Sequence, residues 1–200
     1  LACIPPGSGY GRLIRDVLEG SAKHPGNWRQ VWQLVQDRWD RDDACPDGAL
    51  SPFNIDARIN GAYIAIGLLY GGGDLLRTME ISTRCGQDSD CNPSSAAGIL
   101  GVVLGYDGIP ARFKASIPKL EDERFSFTDY SFNDIVRSTE RRALEVIRRA
   151  GGEATDTRVT IPAQTPAATT LEQWSPGIPD RRLAIDDPAW LTRMVMAKTP

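Results

Sequence analysis

Apolar side chains recur at three, four and seven over residues 28–39, which puts Trp28, Val31, Trp32, Val35 and Trp39 on one face. That is the period of an amphipathic helix, and Pro25 and Asn27 ahead of it are start signals. Residues 8–18 bring Leu13, Ile14, Val17 and Leu18 together and read as a shorter helix. Residues 55–70 differ, because Ile59, Tyr63, Ile64, Ile66, Leu68 and Leu69 leave little polar face. Such a helix belongs at the centre of a protein. Gly71-Gly72-Gly73 ends it, and Asp74 is a suitable N-cap for a helix over 75–85. After a turn at 86–91, Asn92 and then Pro93 at the first helical position open a helix of small residues: Ser94, Ser95, Ala96, Ala97, Gly98 and Gly101. Small side chains let two backbones approach, so this helix is expected to lie buried against the 55–70 helix.

Past Pro110 the pattern changes. Phe125, Phe127 and Asp129 alternate as in a strand, and residues 158–161 read as a second one. Between them, residues 134–150 form an amphipathic helix through Ile135, Val136, Leu144 and Ile147, closed by Gly151-Gly152. Residues 41–52, rich in Asp, Pro and Gly, read as a loop. The stretch 162–180 reads as irregular, and Asp187-Pro188 caps a last helix through Met196. The expected fold is mainly α, with at most a minor strand pair.

Composition narrows the picture. At 200 residues with 41% hydrophobic and 24% charged content, the chain can bury a core and is not disordered. A net charge of −3 lacks the basic excess of a nucleic-acid or anionic-membrane binder. The richest apolar run, residues 62–69, falls well short of the roughly 20 residues a membrane span needs. Cys3, Cys45, Cys85 and Cys91 include no C-x-x-C pair, and the sole histidine, His24, stands apart from them. A structural zinc site is therefore not expected, and neither are disulfide staples. The reduced, cytoplasmic reading follows.

The chemistry concentrates in Arg84-Cys85-Gly86-Gln87-Asp88-Ser89-Asp90-Cys91-Asn92-Pro93. Two carboxylates one residue apart sit between a helix end and a helix start, where anionic groups are favoured. Hard cations want clustered oxygens of this kind. The plain alternative is that Asp90 or Asn92 only caps the following helix. An EF-hand loop is excluded, since its sixth position would be Pro93 and its twelfth Ile99.

Gly86-Gln87-Asp88-Ser89-Asp90-Cys91-Asn92, the small-residue helix with Gly98 and Gly105, and Ile109-Pro110 together resemble the ADP-ribosylglycohydrolase family. That family carries G-x-D-[ST]-D-[ST]-N, an Ala/Gly-rich helix and an I-P dipeptide. The resemblance is good over about residues 54–113 and is also read from Leu1 onward. It implies an orthogonal helical bundle around a site for two magnesium ions, with Asp88 and Asp90 as metal ligands and catalytic residues. Cys91 stands where the family has a hydroxyl ligand, and a thiol is a soft, poor ligand for magnesium. The family's other ligands come from an upstream [ST]-D-D motif. Asp42-Asp43 and Asp186-Asp187 lie in the wrong order or context for it, the second pair preceding Pro188. On this resemblance, residues 1–115 are the C-terminal part of the domain, residues 116–200 are an extension packing on it, and a missing N-terminal half is a required partner. The substrate implied is an ADP-ribosylated protein or a small ribosyl compound. The rival from another class is a non-catalytic binding or structural protein that keeps the fold.

Other candidates carry less. Trp28, Trp32 and Trp39 could stack on a sugar or base, but helical spacing makes them packing residues first. Gly71-Gly72-Gly73 lacks the order of a phosphate loop. Arg141-Arg142 and Arg148-Arg149 read as a solvated face. His24 has no Ser or Asp arrangement around it.

Overall fold

The computed structural model describes residues 1–40 and 56–170. The readings made for residues 41–52, the start of the central helix at Ile55, Cys45, both Asp-Asp pairs, the end of the 162–180 stretch and the last helix lie outside the described residues. Leu1–Ala168 forms one compact unit. Among the described residues it is mainly α, with a single two-stranded antiparallel sheet.

The helices run α1 (Gly9–Lys23), α2 (Trp28–Trp39), α3 (Ala57–Gly71), α4 (Leu75–Arg84) and α5 (Cys91–Gly108), then short α6 (Ala111–Lys114) and α7 (Ile117–Leu120), and α8 (Phe132–Arg149). Helices α1, α2, α4 and α5 all pack on α3. That follows from the sequence, since α3 is apolar on nearly every side. The core is Leu13 and Val17 of α1, Val31 and Val35 of α2, Ile59, Tyr63 and Ile66 of α3, and Ile81 of α4. Caps fix the helix starts. The Ser8, Asp56 and Asp74 side chains accept from the backbone N–H groups of Gly11, Arg58 and Arg77.

Helix α1 runs on to Lys23, five residues past the expected end. Gly20 does not break it but serves as a contact, because a β-carbon there would meet Val31 of α2 at 3.3 Å. The α3–α4 seam is tighter. A β-carbon at Gly67 would come within 2.9 Å of the Ser82 β-carbon and the Thr78 carbonyl oxygen, and one at Gly71 would strike the Thr78 side chain. Two glycines one turn apart thus set the separation of these helices.

Helix α5 departs from its forecast. Ala96 and Leu100 are buried, but Val102 is 86% and Val103 76% exposed, and Ile99 and Tyr106 lie open as well. Only one face of α5 meets α3 and α4, and Gly105 (φ 68°) kinks the helix near its end.

The 125–129 stretch is not a strand. The Phe125 N–H donates to the Tyr130 carbonyl (2.9 Å), one isolated bridge joins Arg124 to Ser131, and Phe127 turns with φ 64°. A tight turn forms there, its far side fixed by the Ser131 cap of α8. The 158–161 reading holds as strand β2 (Val159–Thr160). Its partner is β1 (Glu153–Ala154), with Glu153 opposite Thr160 and Ala154 opposite Val159. The strand was found and its partner misplaced, since Glu153-Ala154 has no alternation to announce it. Helix α8 packs against β1.

Candidate functional site

Helix α4 ends at Arg84, and the next residue, Cys85, is buried, its thiol pushed up to about 12 by that burial. Cys85 is a core residue with no reactive thiolate. The chain then reverses through two left-handed residues, Gly86 (φ 96°) and Gln87 (φ 50°). Glycine accepts such a conformation freely, but glutamine must be held in it. The holding contacts come from the Gln87 side chain, whose Oε1 accepts from Asn60 Nδ2 (2.9 Å) and whose Nε2 donates to Asp40 Oδ1 (3.3 Å).

Asn60 is the hub. It lies on the buried face of α3, only 6% exposed. Its Nδ2 also donates to the Asp56 carbonyl (3.0 Å), and its Oδ1 accepts from the Asp88 N–H (3.2 Å) and from Asn92 Nδ2 (2.6 Å). Every donor and acceptor of the amide is engaged. One side chain therefore ties the central helix to the turn and to the first turn of α5.

Asn92 is inside α5, not ahead of it, and is 2% exposed. Asp90 occupies the N-cap position without a side-chain capping bond. Neither of the two residues offered as plain helix caps acts as one. Asp88 instead accepts from the Cys91 N–H at 3.4 Å. That leaves Asp90 exposed at the start of the helix.

Asp88, Asp90 and Cys91 present donor atoms that all lie within 4.8 Å of one another. Among the described residues this is the one such group of acidic, thiol or imidazole side chains. Hydrogen bonding with Asp88 holds the Asp90 carboxyl below its ordinary range. A hydrogen bond to Asp88, and then the charges of Asp88 and Asp90, push the Cys91 thiol up. The two aspartates fit a magnesium ion in kind, being hard oxygen donors. They converge as well, their donor atoms lying within 4.8 Å of one another. Cys91 is near enough but chemically mismatched, its thiol soft and protonated.

Sequence reading had Gln87 and Asn92 only as motif positions, and it missed the other groups that hold this turn: Asn60, Asp40 and Asp56. For Asn60 a signal was present, a lone amide on the buried face of an otherwise apolar helix, which must find partners. Asp56, 7% exposed, caps α3 and pairs with Arg58 (2.8 Å). Burial works against its charge, but the hydrogen bonds from Arg58 prevail and lower its pKa. Burial, and secondarily the Asp56 charge, raise that of Asp40. His24 contributes its backbone carbonyl to the Tyr70 hydroxyl (2.7 Å) and no side-chain chemistry.

A cleft of about 510 Å³ lies along α8 and contains no residue of the 86–91 turn. Its acids face its own arginines, Asp129 with Arg124 and Asp134 with Arg137. No described helix is long and apolar enough to cross a membrane.

No curated protein and no solved structure matched the chain significantly. A family model described as ADP-ribosylglycohydrolase matches residues 8–151, well over half of the sequence. That span contains α1 through α8, the Asn60 hub and the carboxylate turn, and the chain belongs to the ADP-ribosylglycohydrolase family.

Proposed function

We propose that this chain carries the magnesium-binding turn of a hydrolase that cleaves an ADP-ribosyl or related ribosyl glycosidic bond. The family supports glycohydrolase chemistry at the coarse level. The observation that carries the finer reading is the convergence of Asp88 and Asp90 on a turn fixed by Asn60. Magnesium bound there would supply positive charge for orienting ribose hydroxyls and for lowering the pKa of water. Asp88 would hold the ion from a backbone pinned to α3, and Asp90 from the start of α5. Their negative charge also suits the oxocarbenium-like transition state of glycosidic cleavage.

Two aspartates leave most of a magnesium octahedron to other donors. The reading assigns these to water and to a preceding N-terminal half of the same protein. The open apolar face of α5, Ile99, Val102, Val103 and Tyr106, supports a further packing partner for the bundle. The acceptor released with the ADP-ribose is not encoded in these residues. Cys91 favours a second reading, a fold-retaining binding protein without catalysis, because its thiol replaces a hard ligand.

The test is calorimetric titration with magnesium, alongside release of ADP-ribose from ADP-ribosylated arginine and serine peptides. It is run on the chain alone and with the upstream half. Asp90→Ala should abolish both binding and release while moving stability by less than about 0.5 kcal/mol, as for an exposed position. Cys91→Ser should bind magnesium equally well or better. Undiminished magnesium binding in Asp88→Ala/Asp90→Ala would overturn the reading. Binding without release under every condition would favour the second one.

A further inference from the structure

The carboxylate turn departs from an all-oxygen site at one position. Asp88 and Asp90 offer oxygens, but the third donor within 4.8 Å of both is the Cys91 sulfur. Cys91 is exposed and opens α5 directly after Asp90. Its place is set by the backbone. The Cys91 N–H donates to Asp88 Oδ1 (3.4 Å), and the Asp88 N–H donates to the buried Asn60 side chain (3.2 Å). The sulfur therefore belongs to the same anchored turn as the carboxylates. Cys85, at the other end of that turn, lies in the core and is not one of the three donors.

Ligand chemistry ranks the cations at such a donor set. Magnesium demands an octahedron of hard oxygens, of which these side chains supply only two. Zinc takes a tetrahedron and accepts thiolate sulfur and carboxylate oxygen alike. Two carboxylates and one thiolate fill three corners of that tetrahedron, and the last stays open. Zinc sites with an open corner exchange ligands, unlike the closed structural site that the cysteine spacing argues against. Thiolate is a soft ligand that selects zinc, whereas carboxylates alone suit magnesium. Exchanging one hard oxygen for sulfur thus moves the preference of the whole turn.

We propose that Cys91 sets the ion preference of this turn, making it a site at which zinc-class cations outcompete magnesium. This rests on the reading of Asp88 and Asp90 as ion ligands. As the sulfur–metal bond forms, the thiol proton leaves to solvent, and no oxidation state changes. Zinc held by Cys91 would keep magnesium from the two carboxylates. The ribosyl hydrolysis proposed above would then be zinc-sensitive through a single side chain.

The experiment uses the full chain, kept reduced with a phosphine, and takes zinc, magnesium and cobalt(II) as probes. Cobalt(II) reports its ligand directly, since a cobalt–thiolate bond adds an intense near-ultraviolet band that carboxylates do not give. Cobalt(II) should produce that band, and zinc should remove it. By calorimetry, zinc should bind at least a hundredfold more tightly than magnesium. Cys91→Ser should lose the band and weaken zinc at least tenfold, with magnesium affinity equal or higher and helix content unchanged. Cys3→Ser, at the other exposed thiol among the described residues, should change none of these. Asp88→Ala/Asp90→Ala should also weaken zinc at least tenfold. A parent chain without the band, a band kept in Cys91→Ser, zinc affinity untouched by that substitution, or zinc no tighter than magnesium would overturn the proposal. The two readings fail separately. Magnesium-dependent release of ADP-ribose that zinc blocks equally in the parent and in Cys91→Ser rejects the ion preference and keeps the hydrolase. A thiolate band lost in Cys91→Ser, with no ADP-ribosyl bond cleaved under any ion even with the upstream half present, keeps the ion preference and rejects the hydrolase.

Discussion

Helices α3 and α8 are of similar length and stand for opposite solutions to the same problem. Helix α3 has scarcely a polar side, and Ile59, Tyr63 and Ile66 are each at most 1% exposed. Helix α8 has the clean two-sided pattern of a surface helix, yet not one of its side chains is buried, and Val146 is 65% exposed. Burial stabilises α3, at about 1.5–3 kcal/mol for each large apolar side chain. Helix α8 relies on local devices: a full capping box between Ser131 and Asp134, an Arg137–Asp134 pair at 2.8 Å, and the β1–β2 hairpin against it. Amphipathic pattern announces that a helix will form. Whether it becomes core depends on what the rest of the chain places against it.

The comparison breaks first where burial differs most. Ile66→Ala should cost about 2–5 kcal/mol by chemical denaturation, and Val146→Ala less than about 0.5 kcal/mol. Equal costs would mean that α8 is packed more firmly than its exposure indicates. Asn60→Ala comes next, at about 1–3 kcal/mol, because it strands the Asp88 N–H, the Asn92 amide and the Gln87 side chain. Its distinguishing effect should be a loss of magnesium affinity by calorimetry with helix content retained. A melt shift without any change in affinity would make Asn60 a packing residue only.

The cap of α8 comes after these. Ser131→Ala should cost α8 about 1 kcal/mol, seen as faster amide exchange in α8 and none in α1–α5. The pH dependence sharpens this. Hydrogen bonds from the Ser131 backbone first, and then Arg137, lower Asp134 from the ordinary 3.8 to about 2. Its contribution is therefore complete above the ordinary carboxylate value and is lost as pH falls through about 2. Amide protection in α8 should fall across that window in the parent chain and change far less in Ser131→Ala.

How much was legible follows the same division. Residues 57–84 could be read almost to the residue, because the apolar run of α3, the Gly71–Gly73 run and Asp74 are local signals that act alone. Asp88 and Asp90 were legible through their motif, and the structure brings them together with Cys91. The partners of Asn60 were not, since residues 87, 88 and 92 become its neighbours only after α3 and α5 pack. The open half of α5 escaped for the converse reason, as its small and apolar residues invite burial that only a partner surface can deliver. The 125–129 turn was misread because two phenylalanines alternate by chance of spacing, while Phe127 adopts a left-handed conformation no strand contains.

The glycine seam between α3 and α4 has a consequence for how this sequence can drift. At Gly67 and Gly71 the opposing atoms include backbone and β-carbons of Thr78 and Ser82, which no rotamer change can clear. Any larger residue must first push α4 outward, and α4 leads directly into Arg84, Gly86 and Asp88. Variation on the surface of α8 is free by comparison, since nothing downstream is displaced by it. The seam makes two positions far from the carboxylates answer to the same selection as the carboxylates themselves.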